Sequence, residues 1–151
     1  MGTLSAADIS DRVRDALAVY LPDWLESRMG YDTFPGREPS AIADRCWAIG
    51  VPITAGATTH GRQRVTPGKL CKTSVDLRAS FTVRHEAEAE DLARGLRLEP
   101  DLIAAVLETE KDPDLSVVFD GITSRNTRDI GAERVLLVSY RFHVLHFYPL
   151  A

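Results

Sequence analysis

The strongest constraint in this sequence is a strict alternation of apolar and polar residues in the stretch TSVDLRASFTVRH, residues 73–85. Its apolar members are Val75, Leu77, Ala79, Phe81 and Val83, and a polar residue follows each of them. Because successive side chains of a β-strand point to opposite faces, this period of two predicts a strand with one buried and one solvated face. Such strands are typical of antiparallel or mixed sheets that are covered on one side.

Two helical regions are predicted beside this strand. Ser5 and Asp8 have the spacing of a capping box, and apolar residues recur at helical intervals until Pro22, which ends or kinks the helix. The following stretch DWLESRMG is predicted to add a turn or two. The second region begins near Glu86 with an acidic first turn, as the helix dipole favours, and Pro100 either divides it or kinks it. The apolar stripe of its first half consists of Ala89, Leu92, Ala93 and Leu96.

Three further strands complete the predicted fold. They cover residues 45–53, 114–123 and 133–148, and residues 124–133 are predicted to form a turn or a short arm. The prediction is a single α+β domain spanning residues 1–151, in the order α-β-β-α-β-β. About four mostly antiparallel strands carry the N-terminal helix and the central helix or helix pair on one face. The composition agrees with a globular domain, because 44% of the residues are hydrophobic and 26% are charged.

A long loop, residues 54–72, separates the first two predicted strands and carries no acid. Its four cations are Arg62, Arg64, Lys69 and Lys72. Residues 86–114 have the opposite bias, with ten acids against three bases, and the first acids are Glu86, Glu88 and Glu90. A solvated basic loop and a solvated acidic helix would explain both runs. Oppositely charged patches on one chain also allow copies of the chain to attract each other.

The Gly-Lys pair at positions 68–69 invites comparison with the phosphate-binding loop G-x-x-x-x-G-K-[ST]. Leu70 stands where the magnesium-binding hydroxyl is required, and Gln63 stands where the first glycine is required. The residues that follow predict a strand, whereas the motif requires a helix. The motif is therefore rejected, and no cofactor is predicted.

No arrangement of catalytic or metal-binding residues is recognisable in the sequence. His143 and His146 lie three positions apart on a predicted strand, so they point to opposite faces and cannot share a metal ion. Cys46 and Cys71 lie outside any C-x-x-C pair and are predicted to be buried thiols of a reduced protein. We therefore predict no catalytic residue, no metal site and no enzymatic activity.

The last predicted strand is unusually apolar on both faces. One face carries Leu136, Val138, Tyr140, Phe142 and Val144. The opposite face should be solvated, yet it carries Leu145 and Phe147 at its far end. Something is therefore expected to cover these two residues.

The order of elements and the stretches VDLRASFTVRHEAEAEDLARGL and LLVSYRFHVLHF resemble the tail terminator and tail-completion proteins of long-tailed bacteriophages, and related head-to-tail joining proteins. The resemblance covers most of the chain. It implies a structural protein of the virion, assembled in the host cytoplasm as a hexameric ring that caps the tail tube and joins it to the head connector. The implied partners are further copies of the chain, the tail tube protein and the head–tail connector proteins.

Extended loops of that family reach neighbouring subunits, so the resemblance makes residues 54–72 an arm between copies. Cyclic homo-oligomers bury one patch against a different patch of the next copy. The expected interface residues are therefore Arg62, Arg64, Lys69 and Lys72 of the loop, Glu86, Glu88 and Glu90 of the acidic helix, and Leu145 and Phe147 of the last strand. Contact of the loop with DNA in the lumen of the ring is left open, and no membrane partner is expected.

Three alternatives remain open on the sequence alone. The chain could be another neck or minor tail component of a phage, or a monomer with a solvated loop. It could also be a small module that binds nucleic acid through residues 54–72. A net charge of −4 gives no general reason for nucleic-acid binding, and no aromatic residue lies among the loop cations to stack on bases.

Overall fold

The computed structural model describes residues 2–27, 30–35, 44–56 and 68–149. These residues form an α+β fold with two α-helices and one mixed sheet of six strands. The helices are α1 (Ala6–Tyr20) and α2 (Glu88–Leu107). The strands are β1 (Leu25–Glu26), β2 (Cys46–Ile49), β3 (Ile53–Gly56), β4 (Gly68–Val83), β5 (Leu115–Ile130) and β6 (Glu133–Pro149).

The sheet is organised around the antiparallel pair β4 and β6. The strand order is β1-β2-β4-β6-β5, and β3 pairs with β4 on the β2 side. β4 and β6 pair along their whole length, from Gly68 opposite Pro149 to Val83 opposite Arg134. With 16 residues, β4 is about 50 Å long at the usual rise of a strand. The α+β class is therefore confirmed, whereas the sheet is larger than the predicted four strands.

The predicted strand at residues 45–53 is wrong, because two separate strands lie there. β2 pairs with Arg78 and its neighbours, and β3 pairs with the earlier part of β4 around Thr73. Between them, Gly50 donates its N–H to the carbonyl of Asp76 at 2.8 Å, and Pro52 has no N–H to donate. The predicted loop at 54–72 is shortened at both ends by β3 and β4, and residues 57–67 lie outside the described residues.

The predicted turn or arm at residues 124–133 is also wrong. β5 continues to Ile130 and pairs with β6 throughout, so that the turn consists of Gly131 and Ala132 alone. Gly131 has a φ of 60°, which glycine adopts at little cost. The polar sequence SRNTRD misled the prediction because this half of β5 is exposed, and backbone pairing with β6 decides its conformation.

Helix α1 begins with the predicted capping box. The hydroxyl of Ser5 accepts from the N–H of Asp8 at 3.2 Å, and the Asp8 carboxylate accepts from the N–H of Ser5 at 2.8 Å. The extra helical turn predicted after Pro22 is wrong, because the backbone there joins the sheet instead. Leu25 donates its N–H to the carbonyl of Arg45 at 3.0 Å as the short strand β1 forms. Helix α2 is a single helix that contains Pro100.

The two helices cover one face of the sheet, which we call the inner face. All five apolar residues of the alternating stretch are buried there, as predicted, and so are the even-numbered residues of β6 from Leu136 to Val144. The helices contribute Ile9, Val13, Leu17, Leu102 and Val106 to the same core. Opposing residues in paired strands share a face, so β4 and β6 present one continuous apolar surface to the helices.

The opposite face of the sheet, the outer face, is covered at one end by the segment before β2. Phe34 is fully buried against Cys46, Ala48 and Leu137 in a second, smaller core. The ring of Tyr31 lies 4.1 Å from the guanidinium carbon of Arg78, which also donates to the carbonyl of Tyr31 at 2.8 Å. The sequence pattern did not predict this cover, because the segment has no periodicity.

Replacing Gly95 by Val is expected to destabilise the fold. A side chain at position 95 would begin 2.9 Å from Leu136 and 3.3 Å from Phe81, where α2 meets the sheet. Such overpacking costs about 1–3 kcal/mol. The control is Ala104→Val, because Ala104 is exposed on the same helix. Urea unfolding should show a clear loss of unfolding free energy for Gly95→Val alone, and equal losses would contradict the close packing.

Candidate interaction surface

The outer face is divided by a strip of paired charges. Arg141 donates to both carboxylate oxygens of Asp76, at 2.8 and 3.2 Å. On the neighbouring strand, the carboxylate of Asp120 lies 3.6 Å from Nδ1 of His143. The end of the outer face that Phe34 covers lies on one side of this strip. On the other side the outer face is open to solvent.

This open half carries apolar side chains from four adjacent strands. Register places Ile53 of β3 in one row with Ser74, His143 and Val118, and Ala55 in the next row with Lys72, Leu145 and Ser116. A third row pairs Leu70 with Phe147. We define the open patch as the apolar residues and the one lysine of these rows: Ile53, Ala55, Leu70, Lys72, Val118, Leu145 and Phe147.

Three of the large apolar side chains of the open patch are exposed, whereas Leu70 and Phe147 are half-buried. Ile53 is 68% exposed, Val118 is 52% exposed and Leu145 is 36% exposed. The three residues lie on different strands within about 15 Å of each other, given the usual spacing of strands. Clustered apolar exposure of this kind marks interaction surfaces in soluble proteins, whereas single exposed apolar residues do not.

The structure brings together three of the predicted interface residues in the open patch. Lys72 lies directly opposite Leu145 across β4 and β6, and Phe147 follows in the next row. Lys69 is exposed but belongs to the other face, where its side chain passes beside Gly56. Arg62 and Arg64 lie outside the described residues, so their place relative to this patch stays a prediction.

The predicted acidic residues lie at the opposite end of the sheet. Glu88 accepts from Arg134 at 2.8 Å, and Arg134 stands opposite Val83 at the last row of β4. Val83 comes eleven positions after Lys72 on β4, which corresponds to about 36 Å. Lys72 and the predicted acids therefore do not form a single site within one chain.

The charges at the acidic end differ in how far they are neutralised. Asp91 is buried and accepts three hydrogen bonds from Arg84, two from its side chain and one from its backbone N–H. The side-chain bonds, together with that backbone bond, lower the pKa of Asp91 to about 2. Glu86 and Glu90 are exposed and form no hydrogen bond or ion pair with the residues that the structure describes. Their charge is thus available to a partner.

Helix α2 presents a different face to the sheet from the one its apolar pattern suggests. The buried residues of its first half are Asp91, Gly95 and Glu99. Glu99 is held by Arg125 of β5 through two hydrogen bonds, of 2.8 and 2.9 Å. These ion pairs, with the close approach at Gly95, rotate the predicted apolar stripe to the edge of the core, where Leu92 still packs against the core and Leu96 is exposed.

We call that displaced stripe the α2 stripe: Ala89, Leu92, Ala93 and Leu96. Leu96 is 43% exposed, Ala89 is exposed, and the other two are half-buried. Glu86, in the short 3-10 helix His85–Ala87 that precedes α2, and Glu90, in the first turn of α2, lie near its N-terminal end. Sequence reasoning missed this surface because acids on a helix are normally assigned to its solvated side. The signal available in the sequence was the glycine at position 95 between two acids at helical spacing.

The inner face contains a buried histidine at the end of the sheet that carries the open patch. A hydrogen bond of 2.6 Å joins Nε2 of His146 to the hydroxyl of Thr73, and one of 2.9 Å joins this hydroxyl to that of Thr54. Burial lowers the pKa of His146, and backbone groups of Phe147 and Leu4 offset this in part. The imidazole is therefore held neutral at neutral pH.

Both cysteines, Cys46 and Cys71, are buried thiols that form no disulfide bond, as predicted. Within residues 2–27, 30–35, 44–56 and 68–149, no group of three His, Cys, Asp or Glu side chains is arranged to hold a metal ion. None of the helices in this part of the chain is long and apolar enough to cross a membrane.

Comparison with known proteins adds no family assignment. No model of a known protein family matches this chain, and no curated protein matches it. A crystal structure of a protein from Akkermansia muciniphila is similar at 11% sequence identity and a TM-score of 0.31, over 100% of this chain and 84% of that one. A second structure from this organism, determined without its transmembrane region, has 10% identity and a TM-score of 0.29, over 100% and 90% of the two chains.

The buried His146 predicts a loss of stability in mild acid. Its folded pKa lies below the ordinary 6.5, so between the two values the unfolded chain binds more protons than the folded one. The free energy of unfolding should therefore fall as the pH drops below about 6.5 and should gain nothing from this group above it. Urea unfolding at a series of pH values should show this fall in the wild type.

The matched variants are His146→Gln and His85→Gln, because His85 is exposed. His146→Gln should lose the fall in unfolding free energy that begins near pH 6.5, whatever its absolute stability. His85→Gln should keep this fall. A fall of the same size in His146→Gln would contradict this assignment.

Proposed function

We propose that this chain is a structural subunit that assembles with copies of itself into a ring, as a tail terminator or a related neck protein of a long-tailed bacteriophage does. The observation that carries the self-assembly is the open patch, an apolar surface across four strands that the described part of the chain leaves exposed. The phage assignment rests on the sequence resemblance. The ring would cap the tail tube, join it to the head connector and have no enzymatic activity.

The hydrophobic effect favours association through the open patch. Each large apolar side chain that moves from water into a packed interface contributes at about 25 cal/mol for every Å² of apolar area that it buries. Ile53, Val118 and Leu145 are exposed in one cluster, so a single partner surface can bury all three together. Lys72 at the centre of the patch adds a charge that can select the orientation of the partner.

The layered architecture favours a head-to-tail arrangement of copies. The helices lie on the inner face of the sheet and the open patch lies on the outer face, so the two surfaces point to opposite sides of the molecule. A contact between different surfaces of identical subunits generates a closed ring when the rotation closes, and a filament when it does not. A ring is the form that a terminator requires, because it must end a tube.

Charged substitutions in the open patch are expected to dissociate the assembly. Val118→Asp and Leu145→Asp would each place a carboxylate in an apolar interface, where an unpaired charge is strongly unfavourable. Light scattering and electron microscopy of the purified wild type should show a ring, and each variant should give smaller species. The control is Val19→Asp, because Val19 is 69% exposed on α1, away from the patch.

A wild type that stays monomeric at all concentrations, and does not join tail tubes, would contradict the proposal. Rings that persist in both patch variants would show that assembly uses another surface. Binding of DNA that weakens with rising salt, and that Arg62→Ala and Arg64→Ala abolish, would favour the nucleic-acid alternative instead.

A further inference from the structure

We propose that the open patch of one copy is covered by the first half of helix α2 of the next copy. The α2 stripe would pack on Ile53, Val118 and Leu145, and Glu86 and Glu90 would lie beside Lys72. This inference rests on the proposed self-assembly and names the surface that meets the patch. The two surfaces lie on opposite sides of the sheet, so only different copies can bring them together.

The described part of the chain supplies no helical layer over the open patch. A sheet with an apolar face is stable when another layer of secondary structure covers that face. Among the described residues, helices cover only the inner face, and Phe34 covers only one end of the outer face. The α2 stripe is a helix surface with an apolar, partly exposed centre at Leu96. A helix of a second copy on the open patch would continue the layer order helix, sheet, helix, sheet.

The two surfaces carry charges of opposite sign. The open patch contains one charged residue, Lys72, which is exposed and forms no ion pair with any residue that the structure describes. Glu86 and Glu90, near the start of the α2 stripe, are likewise exposed and form no ion pair within those residues, although their charges also raise the pKa of Arg84. The exposed Arg97 follows the stripe at its other end. Each surface therefore has the apolar centre and the opposite charge that the other requires.

Pairing either surface with its own counterpart in a second copy brings like charges together. Two open patches packed face to face would bring Lys72 towards its own counterpart. Two α2 stripes packed together would bring four carboxylates into one interface. Like charges across an interface are unfavourable and select against such arrangements. Only the contact between patch and stripe places opposite charges together, and this contact is heterologous, as a ring requires.

Charge reversal on either surface should weaken the assembly, and reversal on both should restore it. Lys72→Glu alone and the pair Glu86→Lys with Glu90→Lys alone should each raise the dissociation constant by about tenfold or more. The triple variant should regain most of the wild-type affinity. Sedimentation velocity over a dilution series measures these constants, and circular dichroism verifies that each variant is folded.

Two controls separate the interface from general effects of charge. Asp15→Lys changes an exposed acid of α1 and should leave the dissociation constant unchanged. Glu86→Gln with Glu90→Gln removes the charges without placing cations at the start of α2, where the helix dipole disfavours them. This neutral pair should weaken the assembly less than the reversed pair does.

A mixing experiment tests the pairing directly. Leu145→Asp disables the patch of one copy, and Leu96→Asp disables the stripe of another. Each variant alone should be monomeric, because every contact requires both surfaces. Mixed together they should form a one-to-one heterodimer and nothing larger, since one intact patch and one intact stripe remain between them.

The outcomes distinguish the two proposals. A wild type that never assembles overturns self-assembly and this inference together. A wild type that assembles, with charge reversals that leave the dissociation constant unchanged or a mixture that stays monomeric, overturns the inference alone. Restored affinity in the triple variant and the limited heterodimer would establish α2 of the next copy as the occupant of the open patch.

Discussion

The fold depends on the full-length pairing of β4 with β6. These strands are distant in sequence, yet they pair in register from Gly68 opposite Pro149 to Val83 opposite Arg134. This pairing, together with the equally long β5 on the other edge of β6, produces an elongated sheet, and the short strands β1, β2 and β3 lie on the β4 side. It also fixes which side chains share a face over the whole length of the molecule. The two surfaces proposed for assembly take their separation of tens of ångströms from this one interaction.

Helix α2 shows how buried ion pairs decide the surface of a helix. Asp91 and Glu99 face the sheet because Arg84 and Arg125 neutralise them there. A buried carboxylate without such a partner would be strongly unfavourable, so these pairs specify the rotation of the helix more than they stabilise it. Gly95 lets the helix approach the sheet closely between them. As a consequence, Ala89 and Leu96 are exposed to solvent, whereas Leu92 packs against the edge of the core.

The molecule therefore has two different sides. Its inner side is closed by helices, and its outer side is closed by Phe34 at one end and open at the other. The strip of Arg141, Asp76, His143 and Asp120 separates the closed end from the open one. Paired charges on a sheet surface are stable in contact with water, whereas clustered apolar residues are not. A further subunit would therefore stabilise the sheet most by covering the open end. This division favours a head-to-tail assembly, in which the outer side of one copy contacts the inner side of the next.

The sequence alone determined the features that depend on neighbouring residues: the α1 capping box, the alternating strand within β4, the last strand and the α+β class. Charge and apolar excess also predicted Lys72, Leu145 and Phe147 as interface residues, which stays a prediction, whereas the register of β4 with β6 makes them neighbours. Tertiary structure decided the division of residues 45–53 into β2 and β3, the extension of β5 to Ile130, and the outward rotation of the α2 stripe. Each of these depends on a partner distant in sequence, namely β4, β6 or the arginine that neutralises a buried acid. Local patterns carry no information about such partners, because backbone pairing and ion pairing override intrinsic propensity once the chain is folded.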